Sequence, residues 1–306
     1  MLRGPFRVRV VTRWRAMDAA PALMIALHAR RSADAIEAFA ATHPDRPLVV
    51  ALTGTDLYRD IAHDATAQRS LRLATQLIVL NDLGPRQLPP DLRTKASIVV
   101  QSAASRAPAS KSRDFSVAVV GHLREEKNPQ LVWRVLDGWP TDVPVRVLHA
   151  GFALDPTLGR QARQMARRDP RYIWLGNQPR GVLRRRVAAC HVLLHPSSIE
   201  GGALAIIEAI TAGTPVIASR IDGHVGLLGS RYPGLFATDD ADAARSLLLR
   251  AATDARFRAR LADACDRIAG RFAPAREQRD LRRVVHACLR SSRQGPSPAA
   301  SRMPSG

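Results

Sequence analysis

One stretch limits the fold of this chain more than any other. Residues 191–218 read as strand, glycine loop, helix, glycine stop and second strand. The apolar run ending at His195 is followed by Ser197-Ser198-Ile199-Glu200-Gly201-Gly202, then by Ala203-Leu204-Ala205-Ile206-Ile207-Glu208-Ala209. Gly213-Thr214-Pro215 then leads into Val216-Ile217-Ala218. Gly213 suits the left-handed end of a helix, and Pro215 can open a strand but cannot continue a helix. Two strands joined through a helix pair in parallel. Gly201 and Gly202 are expected where the helix starts, because residues without side chains let backbone N–H groups approach a ligand. A helix amino end favours phosphate there. Glu208 lies eight residues after Glu200, in the expected second turn. Helical side chains lean toward the amino end, so its carboxylate can accept both hydroxyls of a ribose, while Glu200 on the loop can reach a sugar ring.

Strand-like and helix-like runs alternate along the whole chain, which favours parallel sheets covered by helices. In the first half the expected strands lie near Arg7–Val11, Leu23–Leu27, Leu48–Leu52, Leu77–Leu80 and Ile98–Val100. A helix is expected from Ser32, a good N-cap, with Asp34 in the first turn to suit the dipole. Residues 102–114 are small, polar and contain a proline, which reads as a linker. A second doubly wound domain follows, with strands near Val117–Val120, Val145–Leu148, Tyr172–Trp174, Val192–His195 and Pro215–Ala218. Helices are expected over 241–271 and 276–290, separated at Pro274. The expected organisation is an N-terminal Rossmann-like domain over 1–101, a linker over 102–114 and a C-terminal Rossmann-like domain over 115–272. A helix over 273–290 that can cross back to the first domain follows, then a tail over 291–306 of disordered composition.

Composition excludes several classes. The net charge is +19, but only three of the 46 cationic side chains, Lys95, Lys111 and Lys127, are lysines. That bias toward arginine reads as codon preference in a GC-rich genome, and the cations are spread rather than clustered as in a nucleic-acid surface. Aromatic residues make up 5%, too few for a surface that stacks many bases. Cys190, Cys265 and Cys288 are far apart and give neither a zinc spacing nor a disulfide framework. No run of about 18 apolar residues offers a membrane span, and no apolar h-region follows the N-terminal arginines. The expectation is a cytoplasmic protein with no metal, no nucleic-acid partner and no membrane span. The oligomeric state stays open.

The second signal begins at Val117–Val120 and continues Gly121-His122-Leu123-Arg124-Glu125-Glu126-Lys127-Asn128-Pro129. A strand runs into a glycine turn, and a helix starts near Pro129, a residue favoured in the first helical turn. Lys127 and Arg124, beside that helix start, can neutralise a departing diphosphate without a metal; the plainer reading is an exposed charged loop. In the first half, Ala26-Leu27-His28-Ala29-Arg30-Arg31-Ser32-Ala33 and Leu52-Thr53-Gly54-Thr55-Asp56-Leu57-Tyr58-Arg59-Asp60 follow expected strands. His28 and Asp56 there can serve an acceptor or proton transfer, with packing or helix capping as their plainer roles. Thr53, Gly54 and Thr55 fall on the same loop.

The two C-terminal segments resemble those of the retaining-type glycosyltransferase family 4, over roughly residues 117–220. The resemblance implies a GT-B fold: two Rossmann-like α/β domains with parallel sheets facing a cleft. It implies that Lys127 and Arg124 contact the diphosphate, that Gly121, Gly201 and Gly202 line the donor site, that Glu200 contacts the sugar and Glu208 the ribose. His122 departs from the pattern, since many relatives carry a basic residue there. Together with the first-half strings, the chain is similar to the selenosugar synthases of selenoneine biosynthesis over about residues 7–290. That resemblance implies transfer of a sugar from UDP-glucose or UDP-N-acetylglucosamine to selenophosphate, with the UDP-sugar as co-substrate and no cofactor. It places the acceptor beside His28, Thr53, Gly54, Thr55 and Asp56. GT-B N-terminal domains open with a strand and glycine-rich loop ahead of Arg7–Val11, so the first βα unit is expected to be lacking and Met1 to be an internal methionine. The rival readings are a family 4 enzyme acting on a hydroxyl of a lipid, polysaccharide or metabolite, a non-catalytic nucleotide-sugar-binding remnant, and a nucleic-acid-binding basic surface.

Overall fold

A computed structural model describes residues 1–107 and 109–293. The chain divides into two compact units, each with its own parallel sheet. The first comprises residues 1–79 and 85–99 together with the described residues from Gln278 on; the second comprises 80–84 and 100–277.

The first unit carries β1 (Met24–Leu27), β2 (Leu48–Ala51), β3 (Gln76–Val79) and β4 (Ala96–Ile98), side by side in that order and all parallel. Helices α1 (Ala33–Thr42), α2 (Ile61–His63) and α3 (Ala65–Leu73) cover them. Leu48, Val49, Val50, Leu77, Ile78 and Val79 are all buried, as continuous apolar runs require in a sheet covered on both faces. Ile36 and Phe39 of α1 and Leu71 of α3 complete this core, with the Trp14 indole edge-on to Phe39 at 5.3 Å.

Two expectations fail here. Arg7–Val11 is not a strand: Val10 is 82% exposed, and a five-residue alternation with neither a core face nor a neighbouring strand cannot satisfy its backbone groups as a ladder. Ser32 precedes α1 but makes no side-chain cap; its hydroxyl donates to the Leu27 carbonyl at 2.6 Å instead.

The second unit carries β5 (Phe115–Val120), β6 (Val145–Ala150), β7 (Tyr172–Gly176), β8 (Val192–His195), β9 (Val216–Ser219) and β10 (Leu235–Phe236). Their spatial order is β10-β9-β8-β5-β6-β7, all parallel. The chain winds outward from β5 through β6 and β7, then returns to β8 on the other side of β5. The reversal puts a topological switch point between β5 and β8, where doubly wound sheets bind ligands at their carboxyl ends. The helices are α4 (Pro129–Asp137), α5 (Pro156–Arg168), α6 (Arg180–Ala189), α7 (Leu204–Ile210), α8 (Asp222–Leu228), α9 (Ala241–Thr253) and α10 (Ala255–Ala269).

The expected single helix over 241–271 is broken at Asp254. That residue leaves helical geometry at φ −111° and caps α10 by accepting from the Phe257 N–H at 3.0 Å. β10, two residues long, carries too little pattern to be read from sequence. The last helix, α11 (Pro274–Arg293), runs three residues into the segment expected to be a disordered tail; residues 294–306 lie outside the described residues. No helix of the described residues is long and apolar enough to cross a membrane.

Both GT-B expectations of strand–helix alternation and two parallel-sheet domains hold, and the entry to α4 shows how local chemistry fixes the loop after β5. Asn128 sits in the left-handed region at φ +46° and its side chain accepts from the Leu131 N–H at 3.3 Å. Asparagine tolerates that conformation and caps helices, whereas alanine does neither. Asn128→Ala is expected to cost about 1–2 kcal/mol in urea unfolding, and Asn128→Gly only a few tenths. Wild-type stability in Asn128→Ala would show that neither the cap nor the left-handed backbone matters here.

Candidate functional site

The two sequence signals end up on either side of the switch point in the second unit. The loop after β5 holds Gly121, Arg124 and Lys127, and the loop after β8 holds Glu200, Gly201 and Gly202. They are joined through backbone, the Ser198 N–H donating to the Glu126 carbonyl at 3.0 Å, and through side chains, the Lys127 ammonium pairing with Glu200 Oε1.

Each member of that pair is shaped by its neighbours. The Lys127 stem lies over Gly121, where a Cβ would stand 3.3 Å from both Lys127 Cγ and Cδ. Gly121 is itself held by His149, whose Nε2–H donates to the Gly121 carbonyl at 3.2 Å while its Nδ1 accepts from the Tyr172 hydroxyl at 2.8 Å. Burial drives His149 down to about 4, with the Gly121 hydrogen bond opposing, so the imidazole is neutral. Arg124 points its Nε into a buried position with no hydrogen-bond partner among the described residues; the Glu126 carboxylate is 3.8 Å away.

Glu200 is 9% exposed. Burial pushes its carboxyl up, but His195, Lys127 and His224 outweigh that and bring it down to about 2. Burial likewise drives His195 to about 3 and His224 to about 4. Both rings are therefore neutral at pH 7, and among the described residues Lys127 is the cation paired with the carboxylate. His195 Nε2 lies 3.6 Å from Glu200 Oε1, and the His224 ring stands edge-on to His195 with centroids 4.9 Å apart. Gly223, at the start of α8, packs so tightly on the loop that a Cβ would come within 1.9 Å of the Glu200 carbonyl oxygen.

The helix expected to start at Gly201 and Gly202 begins beyond both glycines. Its N-cap is Ala203, left-handed at φ +36°, and α7 opens at Leu204. Gly201 and Gly202 serve close packing within the unit. The Gly201 carbonyl accepts from the Asn81 amide at 2.9 Å, and a Cβ on Gly202 would meet the Gln101 side chain at 2.2 Å. Glu208 is in the second turn of α7 and 8% exposed. Its Oε1 accepts from Arg180 Nε at 2.7 Å, with Arg184 Nε at 3.9 Å. Among the described residues its side-chain partners are thus on α6 and not in the Lys127 loop.

In the first unit, His28, Thr53, Gly54, Thr55 and Asp56 form a separate group at the carboxyl ends of β1 and β2. His28 is buried and left-handed at φ +71°. Its Nδ1 accepts from the Arg31 N–H at 3.3 Å, so its Nε2–H faces Thr55 Oγ1 at 3.1 Å. Burial lowers its pKa, with Asp56 opposing. Asp56 is fully buried; Oδ1 accepts from the Thr53 N–H and hydroxyl, both at 2.8 Å, and Oδ2 from the Ala29 N–H at 2.9 Å. Asp56 thus ties two loops together. The Gly54 carbonyl accepts from the Tyr58 N–H at 3.0 Å.

Sequence reasoning singled out neither His195 and His224 nor His149, Asn81, Arg180 and Arg184. His195 stood at the end of a recognised strand and was the one of the six with a usable signal: a polar residue closing an apolar run just ahead of the Glu200 loop. Each of the others reaches the site through a contact across 24 residues or more.

The model of the family described as glycosyl transferases group 1 matches residues 100–266. Among solved structures, the Anabaena protein HepE in complex with UDP is 18% identical, with 87% of this chain and 78% of that chain covered and a TM-score of 0.71. Sucrose-phosphate synthase from Thermosynechococcus elongatus is 15% identical, covering 88% and 74% at a TM-score of 0.73. The Staphylococcus aureus protein TarM is 13% identical, covering 86% and 55% at 0.69. At these identities the likeness establishes the GT-B fold.

His149 makes the Gly121 loop pH-sensitive. Its folded pKa of about 4 lies below the ordinary 6.5, so between those values the unfolded chain takes up a proton that the folded chain refuses. Stability is full above pH 6.5 and declines as the pH falls toward 4, by about 1 kcal/mol at about pH 5.5. Urea unfolding at about pH 7.5 and 5.5 should show this loss in the wild type and a loss about 1 kcal/mol smaller in His149→Gln. An identical loss in the variant would mean that His149 protonates within the fold.

Proposed function

The chain belongs to the glycosyl transferases group 1 family, and on that premise we propose that it moves a sugar from a UDP-sugar to selenophosphate. The donor would be UDP-N-acetylglucosamine or UDP-glucose, and the product a selenosugar for selenoneine biosynthesis. The observation that carries the donor half is the loop after β5, where Lys127 meets the Glu200 loop at the switch point and the Arg124 Nε is buried without a hydrogen bond among the described residues. Both cations stand at the switch point before any ligand arrives, and the charge developing on a leaving diphosphate draws Lys127 over from Glu200. Lys127 and Arg124 take the phosphates and need no metal for that role. The backbone beyond Gly201 and Gly202 lines the phosphates and sugar, Glu200 reaches the sugar, and Glu208 accepts the ribose hydroxyls once Arg180 shares it. The UDP held by HepE supports uridine diphosphate as the leaving group.

The acceptor half rests on the strings around His28 and Thr53–Asp56 and on their geometry. Both nitrogens of His28 are engaged, Nδ1 by the Arg31 N–H and Nε2 by Thr55, and both oxygens of Asp56 are filled. Neither group is placed to take a proton from a hydroxyl. A selenophosphate is already ionised, so it needs no base: its selenium forms the bond to the anomeric carbon as the carbon–oxygen bond to UDP breaks and UDP departs with the electron pair. Exposed Arg30 and Arg31 suit such an anion. A second reading, transfer to a hydroxyl, is favoured by Asp60, a buried carboxylate 3.9 Å from His28 Nε2 whose Oδ2 meets Arg30 at 2.9 Å.

Mass spectrometry of products from UDP-N-acetylglucosamine or UDP-glucose, with and without selenophosphate, tests the proposal. The expected product is a sugar joined through selenium, formed only when selenophosphate is present. UDP release only with a hydroxyl acceptor, or UDP-sugar binding without turnover, would overturn it. Lys127→Ala should lower kcat by about 100-fold to 1,000-fold, the scale for removing one preorganised charge-stabilising group; turnover near wild type would remove Lys127 from its assigned role.

A further inference from the structure

We propose that His195, Glu200 and His224 form a binding site for a divalent transition metal, with zinc as the best match, and that the metal competes with Lys127 for the Glu200 carboxylate. The inference goes beyond sugar transfer and does not depend on the identity of donor or acceptor.

Three observations carry it. One ligand atom from each residue lies within 4.8 Å of the other two, and all three residues are buried. The second is the state of His224. Its Nδ1 stands 2.8 Å from the Ser219 carbonyl oxygen, which can only accept, so Nδ1 carries the proton and Nε2 presents a lone pair. That Nε2 is buried without a hydrogen-bond partner, and the residue is 0% exposed. Leaving such an acceptor unsatisfied is costly, and nothing in the sugar-transfer chemistry uses it. A metal would use it, in the arrangement typical of ligating histidines, where the far nitrogen donates to a backbone carbonyl that orients the ring.

The third is the donor set. Two imidazoles and one carboxylate are a recognised zinc set with a fourth position left open. Ligands at the usual zinc distances are about 3.4 Å apart in a tetrahedron, close to the 3.6 Å between His195 Nε2 and Glu200 Oε1. His195 keeps that nitrogen toward Glu200 because its Nδ1 faces Ser197 Oγ at 3.3 Å. The supports are rigid: His195 ends β8, Glu200 is fixed by the tight seat of Gly223, and His224 follows that glycine on α8.

Lys127 decides when the site can fill. Its ammonium occupies Glu200 Oε1, the same oxygen that faces His195. A dication and an ammonium cannot share it without strong repulsion at this burial. The metal therefore enters only as Lys127 leaves.

Isothermal titration of the full chain with zinc chloride tests this, with cobalt(II) absorption as the spectroscopic probe. One zinc per chain is expected. His195→Gln and His224→Gln should each weaken it at least about tenfold, the smaller end of what losing even a supporting group costs a metal site. Lys127→Ala should bind zinc more tightly than wild type. Cobalt(II) should show tetrahedral absorption without a thiolate charge-transfer band. Absence of zinc binding, wild-type affinity in His224→Gln, or a thiolate band would overturn the site, and unchanged affinity in Lys127→Ala would overturn the competition. Circular dichroism in the absence of zinc shows whether the histidine variants fold; if they do not, the Lys127→Ala affinity and the wild-type cobalt spectrum decide.

Discussion

The ion pair between Lys127 and Glu200 is the constraint around which the second unit organises its loops. It joins the segment after β5 to the segment after β8, across the point where the winding of the sheet reverses. Both side chains are largely buried, at 17% and 11% exposure. In such surroundings removing one partner strands the other, at about 3–5 kcal/mol, whereas the assembled pair adds little stability by itself. Its value is therefore geometric. Gly121 makes room for the lysine stem, His149 holds Gly121, and Gly223 seats the Glu200 backbone. Each of these residues matters because it fixes where two opposite charges meet.

Much of this was legible beforehand, for identifiable reasons. The strand–glycine–helix–glycine–strand run over 191–218 has few alternative folds, and it contains β8, α7 and all of β9 but its last residue. The loop from Gly121 to Pro129 was legible because proline and glycine punctuate it. Arg7–Val11 misled because alternation states only that a strand could form; whether a neighbour exists is a tertiary fact. Ser32 misled for a similar reason, since its hydroxyl found the Leu27 carbonyl instead of a helix N–H. His224 could not be read at all. Its role depends on Ser219 selecting its tautomer and on β8 and α8 coming together, and neither leaves a spacing in the chain.

The abundance of arginine acquires a more specific meaning in the structure. Net charge of +19 suggested little beyond codon preference, yet several arginines settle carboxylates that would otherwise be buried alone. Arg180 closes over Glu208, and Arg171 grips Asp169 through Nε and Nη2. For Asp169 that hydrogen bonding holds the carboxyl below its ordinary range. Glu208 differs from Asp169 in one respect. Arg180 has a side chain 64% exposed, so its hold is screened by water and worth little. A partner of that kind is easily displaced, which suits the proposed contact of Glu208 with a ribose.

Lys127 and Glu200 face competing claims. Glu200 holds the lysine in the structure; the proposed diphosphate draws the same ammonium away; the proposed metal takes the carboxylate it leaves. A buried carboxylate stripped of its cation needs a replacement, and in the proposed transfer hydrogen bonds from the sugar hydroxyls supply it. In that proposal the donor does more than occupy the site: its sugar hydroxyls would compensate Glu200 for the lysine the diphosphate removes. A ligand bearing only phosphates moves Lys127 without that compensation and leaves Glu200 uncovered beside two neutral imidazoles. Under the proposed transfer, the electrostatics of this one ion pair would favour a nucleotide-sugar over a bare nucleotide.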